Sequence, residues 1–73
     1  MSTLGTNLKE LRNKNNIYQK EIAEYLQLTL RNYQRYEADT IDPPTSKLIA
    51  LADYFNVSLD YLVGRTDNPI INK

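Results

Sequence analysis

The chain has no cysteine, no histidine and no tryptophan, and only two glycines among its 73 residues. Without cysteine there can be no disulfide staple, and without cysteine or histidine a structural zinc has none of its usual soft ligands. A chain this short lies near the lower limit for a self-sustaining core, so its stability must come from helix packing or from a second copy. The opening Met1-Ser2-Thr3-Leu4-Gly5 lacks the basic and apolar segments of a signal peptide. No run approaches the roughly 18 apolar residues of a membrane span. A soluble, cytoplasmic protein with no membrane association is expected. An enzyme is not, because there is no His or Cys, no Gly-rich phosphate loop and no room for a sizeable pocket. Asp53 and Asp60 read as solvated helix residues, and neither metal nor cofactor is expected.

Net charge is also absent, but its distribution is uneven. Residues 1–36 hold Lys9, Arg12, Lys14, Lys20, Arg31 and Arg35 against Glu10, Glu21 and Glu24, a balance of +3. From Glu37 to Asp67 only Lys47 and Arg65 stand against Glu37, Asp39, Asp42, Asp53, Asp60 and Asp67, a balance of −4. The front half is the one suited to a polyanion.

What the chain does have is helical periodicity. Leu4, Leu8 and Leu11 mark one stripe on a first helix of about residues 5–14, ended by Asn15-Asn16. A second runs from about Gln19 to Leu26 with Ile22, Ala23 and Leu26 inward. After the turn Gln27-Leu28-Thr29, a third is capped by Thr29 and ends near Glu37, with Tyr33 and Tyr36 on one face. Ala38 to Pro44 is a loop in which Asp39 tolerates a left-handed exit and Pro43-Pro44 forbids helix. Leu48, Leu51, Ala52 and Phe55 define a fourth helix over about residues 45–55. Ser58 caps a short fifth, Gly64 stops it, and the tail from Arg65 is irregular. The expected core is Leu8, Leu11, Ile22, Ala23, Leu26, Tyr33, Leu48, Leu51, Phe55, Val57, Leu59 and Leu62. The expectation is an all-α, five-helix domain spanning residues 1–73, with a core over about 6–64 and a tail over 65–73.

The second and third helices, joined by a three-residue turn, have the layout of a helix-turn-helix, whose second helix enters the DNA major groove. With that motif placed, the chain resembles the phage repressor and lambda Cro family over roughly residues 6–67. The resemblance rests on Leu8-x-x-Leu11-Arg12, Gln19-x-x-Ile22-Ala23-x-x-Leu26, Arg35-Tyr36-Glu37 and Leu48-x-x-Leu51-Ala52-x-x-Phe55-x-Val57-Ser58-x-Asp60-Tyr61-Leu62-x-Gly64. It implies a lambda-repressor-like fold, a bacterial or phage origin, and sequence-specific binding of a double-stranded DNA operator by a transcriptional regulator, a repressor before an activator.

By that resemblance Leu30, Arg31, Asn32 and Arg35 read base edges. The chemistry agrees: Arg pairs with guanine, Asn with adenine, and an apolar side chain meets a thymine methyl. Leu30 can alternatively be a scattered surface leucine, and phosphate competes with base as the target of Arg35. Tyr18, Gln19, Lys20, Thr29, Gln34 and Thr40 are placed at phosphates, with Gln19 also bracing the recognition helix and Tyr18 equally suited to packing. Arg12 and Glu37 are implied to form a structural ion pair clamping the first helix to the end of the third, with a phosphate as the alternative target of Arg12. Asp39 and Asp42 depart from the family's loop; their carboxylates repel phosphates, so this loop should bind through main-chain N–H groups or stand off. Family members often pair through their C-terminal end, where Tyr54, Tyr61, Val63, Ile70 and Ile71 are candidates for a homodimer on a two-part palindromic site. Alternatively these residues close the core. The rival function is a protein-interaction module, such as an antitoxin or an antagonist of another regulator, which has no need of Leu-Arg-Asn-x-Gln-Arg on an outer helix face. The chain is read as either complete or the DNA-binding part of a longer regulator.

Overall fold

A computed structural model describes residues 3–70. It contains five helices: α1 (Leu4–Lys14), α2 (Gln19–Tyr25), α3 (Leu30–Glu37), α4 (Thr45–Phe55) and α5 (Leu59–Leu62). Among the described residues there is no strand. Starts are set by capping chemistry. The side chains of Thr3, Thr29 and Ser58 accept from the backbone N–H of Thr6, Asn32 and Tyr61, satisfying donors that a helix start leaves unpaired. No side-chain bond caps α2 at Tyr18 or α4 at Pro44.

The stops share one device. Asn16, Gln27, Asp39 and Asn56 have φ of 56°, 59°, 59° and 55°, and Gly64 has 86°. The next residue's N–H then reaches back five positions, as in Ile17 to the Arg12 carbonyl (2.9 Å), Leu28 to Ala23 (2.8 Å) and Val57 to Ala52 (3.0 Å). The same bond joins Thr40 to Arg35 (3.1 Å) and Arg65 to Asp60 (2.8 Å). These are Schellman closures, and they turn Ile17, Leu28 and Val57 back onto the core. The sequence predicts a left-handed exit at Asp39, a stop at Gly64 and helix ends near Asn16 and Asn56; the left-handed backbone at Asn16, Gln27 and Asn56 emerges from the structure.

Leu8, Ile22, Tyr33, Leu51 and Leu62 are fully enclosed, with Leu11, Ala23, Leu26, Tyr36, Ala52 and Val57 around them. Three expected core residues depart from this. Leu48 and Phe55 are only half-buried, and Leu59 is 39% exposed. Helix α5 is a single turn, so it has one inward position, and Leu62 takes it. Tyr36, whose ring meets Tyr33 edge-on at 6.3 Å, and Ala52 join the core from the faces that their helical spacing gave them.

Two polar residues tie α1 to the rest. Buried Asn7 donates from Nδ2 to the carbonyls of Tyr61 and Leu62, both at 3.0 Å, satisfying acceptors of α5. Asp39 turns its carboxylate onto the start of α1, where Oδ1 accepts from the Gly5 N–H (2.9 Å) and Oδ2 from the Thr3 hydroxyl (2.7 Å). A negative charge there complements the positive end of the helix dipole. Of the two loop carboxylates that the sequence sets against DNA phosphates, Asp39 is thus engaged by the start of α1.

Candidate nucleic-acid interface

Glu37 organises the helix-turn-helix from the inside. The residue is 2% exposed, and its carboxylate accepts from four donors. Arg12 contributes Nε at 2.8 Å and Nη2 at 3.3 Å, Gln19 contributes Nε2 at 3.0 Å, and the Tyr33 hydroxyl contributes the shortest bond at 2.6 Å. Burial alone would raise the Glu37 pKa, but the bonds from Arg12, Tyr33 and Gln19 outweigh it and hold the carboxyl below its ordinary value. Conversely, burial and the bond to Glu37 push the Tyr33 phenol far above its own. The bond to Glu37 also raises Arg12 further, so the pair stays ionised. The charged group links α1, α2 and α3, and among the described residues no buried side-chain polar atom is left without a partner.

Gln19 is engaged at both ends. Its Oε1 accepts from Gln34 Nε2 at 3.2 Å while its Nε2 faces Glu37. Bracing of α3 by the first residue of α2 is therefore directly visible in the geometry. Gln34 spends one amide hydrogen on the same bridge.

The opposite face of α3 is open. Leu30, Arg31, Gln34 and Arg35 are exposed and Asn32 is half-buried. Leu30 is 42% exposed, so it does not enter the core. Asn32 Oδ1 accepts from Arg35 Nη1 at 3.3 Å. Thr40 Oγ1 donates to the Arg35 carbonyl at 3.2 Å, so this hydroxyl helps close α3. Thr29 is exposed but occupied in capping, and Tyr18 and Lys20 stand exposed around the start of α2.

Lys47 lies elsewhere but is not idle. Its Nζ donates to the Leu26 carbonyl across 21 residues of chain, tying α4 to the end of α2.

At the C-terminal end the expected pairing residues are divided. Tyr54 is half-buried, its ring tilted against Tyr25 (4.6 Å) and edge-on to Phe55 (5.2 Å). Tyr61 and Val63 are half-buried, Ile70 is 72% exposed, and Ile71 lies outside the described residues. Beside Ile70, exposed apolar surface there comes from Ile49 and Leu59. With Ala52 and Val57 they line an open groove of about 300 Å³ bordered by Asp53 and Asp60. Asp53 and Asp60 are both exposed, as the sequence implied. Among the described residues, no His/Cys/Asp/Glu cluster that could hold a metal is present, and no helix is long and apolar enough to cross a membrane.

The helix-turn-helix family matches over residues 8–62. The chain is 45% identical over 65 residues to the HTH-type transcriptional regulator ImmR of Bacillus subtilis, covering 89% of this chain and 51% of that protein. A transcriptional regulator from Listeria innocua superposes with a TM-score of 0.81 at 35% identity, over 85% of this chain and 58% of the other. The P22 c2 repressor, solved in complex with a synthetic operator, gives a TM-score of 0.79 at 22% identity, over 86% of this chain and 96% of that one. The chain belongs to the helix-turn-helix family, and its five helices form the lambda-repressor-like fold. It spans about half the length of the curated relatives it matches.

Proposed function

We propose that the chain binds double-stranded DNA in a sequence-dependent way and regulates transcription, as a repressor in the simplest case. One observation carries the reading: α3 has its inner face locked by the Glu37 cluster, while Leu30, Arg31 and Arg35 stand exposed on its outer face. A rigid helix presenting two arginines and an apolar side chain near its start is what major-groove readout requires. Arg31 and Arg35 serve guanine edges and Leu30 a thymine methyl. Gln19, Gln34, Lys20 and Tyr18 serve the flanking phosphates, Gln19 through its second amide hydrogen. The names of ImmR and of the Listeria regulator support the regulatory role.

The working unit in this reading is a two-fold dimer on a palindromic site. A formal charge of zero leaves few phosphate contacts and a modest salt dependence, so one copy binds weakly and pairing multiplies affinity. Exposed Ile49, Leu59 and Ile70 supply the apolar surface for that pairing, with Tyr54, Tyr61 and Val63 partly committed inward.

Selection of bound duplexes from a random DNA pool tests the proposal, followed by sedimentation of the complex. The expected result is a two-part site saturated by two chains, with half-site centres about 34–36 Å apart. One chain saturating the site would remove the dimer. Failure to enrich any duplex would remove DNA binding and leave protein interaction as the reading.

A further inference from the structure

We infer that Asn32 is a positioning residue that aims Arg35, and is not itself a reader of a base; the inference rests on the DNA-binding reading above. Asn32 sits at the centre of a ladder along the outer face of α3. Its backbone N–H is taken by Thr29 Oγ1 at 3.1 Å, and the residue is half-buried while Arg31 and Arg35 are exposed. Its Oδ1 accepts from Arg35 Nη1 at 3.3 Å. Arg35 is also held at its other end, since its carbonyl accepts from the Thr40 N–H at 3.1 Å and the Thr40 hydroxyl at 3.2 Å.

The chemistry divides the roles. An asparagine that reads adenine uses both amide atoms, accepting through Oδ1 and donating through Nδ2. In Asn32 one lone pair of that oxygen is already given to the guanidinium, which turns the amide towards Arg35 along the helix. Arginine has five N–H donors in a fixed fork, so sharing one with Asn32 leaves a further edge for guanine O6 and N7. A long side chain fixed before binding loses less freedom on binding, and its preferred base is sharpened. Asn32 therefore sets specificity at a base pair it does not contact.

The test measures affinities of the full chain for its selected duplex and all single-base variants, at fixed salt, for wild type, Asn32→Ala, Asn32→Asp, Arg35→Ala and the Asn32→Ala/Arg35→Ala double variant. Circular dichroism and thermal unfolding establish that each is folded. Asn32→Ala should lower discrimination about tenfold at the one base pair that Arg35→Ala identifies, and nowhere else. It should change nothing further once Arg35 is gone. Asn32→Asp keeps the acceptor and should restore discrimination there, while its added charge lowers affinity for every duplex. The inference is overturned if Asn32→Ala alters preference at a base pair insensitive to Arg35→Ala, if the two losses add independently, or if all duplexes weaken alike. Wild-type binding with no effect of Asn32→Ala overturns it too and leaves the DNA-binding reading standing. A wild-type chain that enriches no duplex overturns both.

Discussion

Gln19 gives its amide nitrogen to Glu37 at 3.0 Å and takes a hydrogen from Gln34 at 3.2 Å on its carbonyl. The orientation has a physical cause. An ionised carboxylate only accepts hydrogen bonds, so the NH2 group of Gln19 must turn inward and its oxygen outward. One polar side chain at the start of α2 thereby transmits the position of a buried charge to the surface of α3.

That charge, and the burial of the Tyr33 phenol bonded to it, make stability pH-dependent at both ends. Glu37 titrates below its ordinary value of 4.5 in the fold, so its contribution is present above that value and is lost as pH falls through the folded pKa. Tyr33 titrates above its ordinary value of 10.0, so its contribution is intact below that value and is lost as pH rises beyond it. Thermal unfolding across pH should show a plateau between these limits. Glu37→Gln should flatten the acid limb and cost about 2–3 kcal/mol at neutral pH, less than a fully buried pair because Arg12 retains access to water. An acid limb unchanged in the variant would assign it to other carboxylates.

Gly5→Ala sets two effects of opposite sign against each other. In a helix interior the change is favourable by about 1 kcal/mol. A Cβ at Gly5, however, would stand 2.6 Å from Asp39 Oδ2 and 2.8 Å from the Glu37 carbonyl carbon, and clash with the carbonyl oxygen itself. Backbone cannot yield as a flexible side chain can, so the steric cost wins. The expected net loss is about 1–3 kcal/mol in urea unfolding, the range for overpacking. A more stable variant would place α1 farther from the end of α3.

Gln27 invites the reverse substitution. It holds φ of 59° without the short polar side chain that eases this conformation at Asn16, Asp39 and Asn56. Gln27→Gly should relieve strain of about 1–2 kcal/mol and give back about 0.5–1 kcal/mol through the more flexible unfolded chain, for a net gain of about 0.5 kcal/mol. The midpoint of denaturant unfolding reads the sign directly.

Sequence pattern carried most of the fold because helix periodicity and capping are local. Leu8, Leu11, Ile22, Leu51 and Leu62 lie where their spacing places them, and each helix boundary expected at Thr29, Ser58 or Glu37 is found there. What was not legible depends on distant parts of the chain. Asn7 reads as an ordinary helix asparagine until α5 brings its carbonyls to it, and Lys47 reads as a solvated lysine until Leu26 offers one. Asp39 looked like a charge facing DNA because nothing local reveals that the start of α1 lies against it. The same limit applies at the site. Exposed Leu30 was visible as a leucine off the core stripe, whereas the bond from Arg35 to Asn32 needs the rotamers of both.

The contrast between reading and holding gives the decisive prediction for the proposed interface. Arg31 is exposed near the start of α3, where side chains meet base edges. Arg31→Ala should cost about 1–3 kcal/mol on the selected duplex and relax preference at one base position. Gln19 does two jobs, so Gln19→Ala should weaken every duplex alike and also lower stability by about 1–3 kcal/mol, because Glu37 loses a donor. Being uncharged, Gln19 should leave the salt slope nearly unchanged. Lys47→Ala separates stability from binding: losing its bond to the Leu26 carbonyl should cost about 1 kcal/mol in unfolding while base preference stays intact. Affinities for single-base duplex variants at several salt concentrations, paired with urea unfolding of each variant, check all three. If Arg31→Ala weakened all sequences uniformly while Gln19→Ala changed the preferred base, α3 would not lie in the groove as proposed.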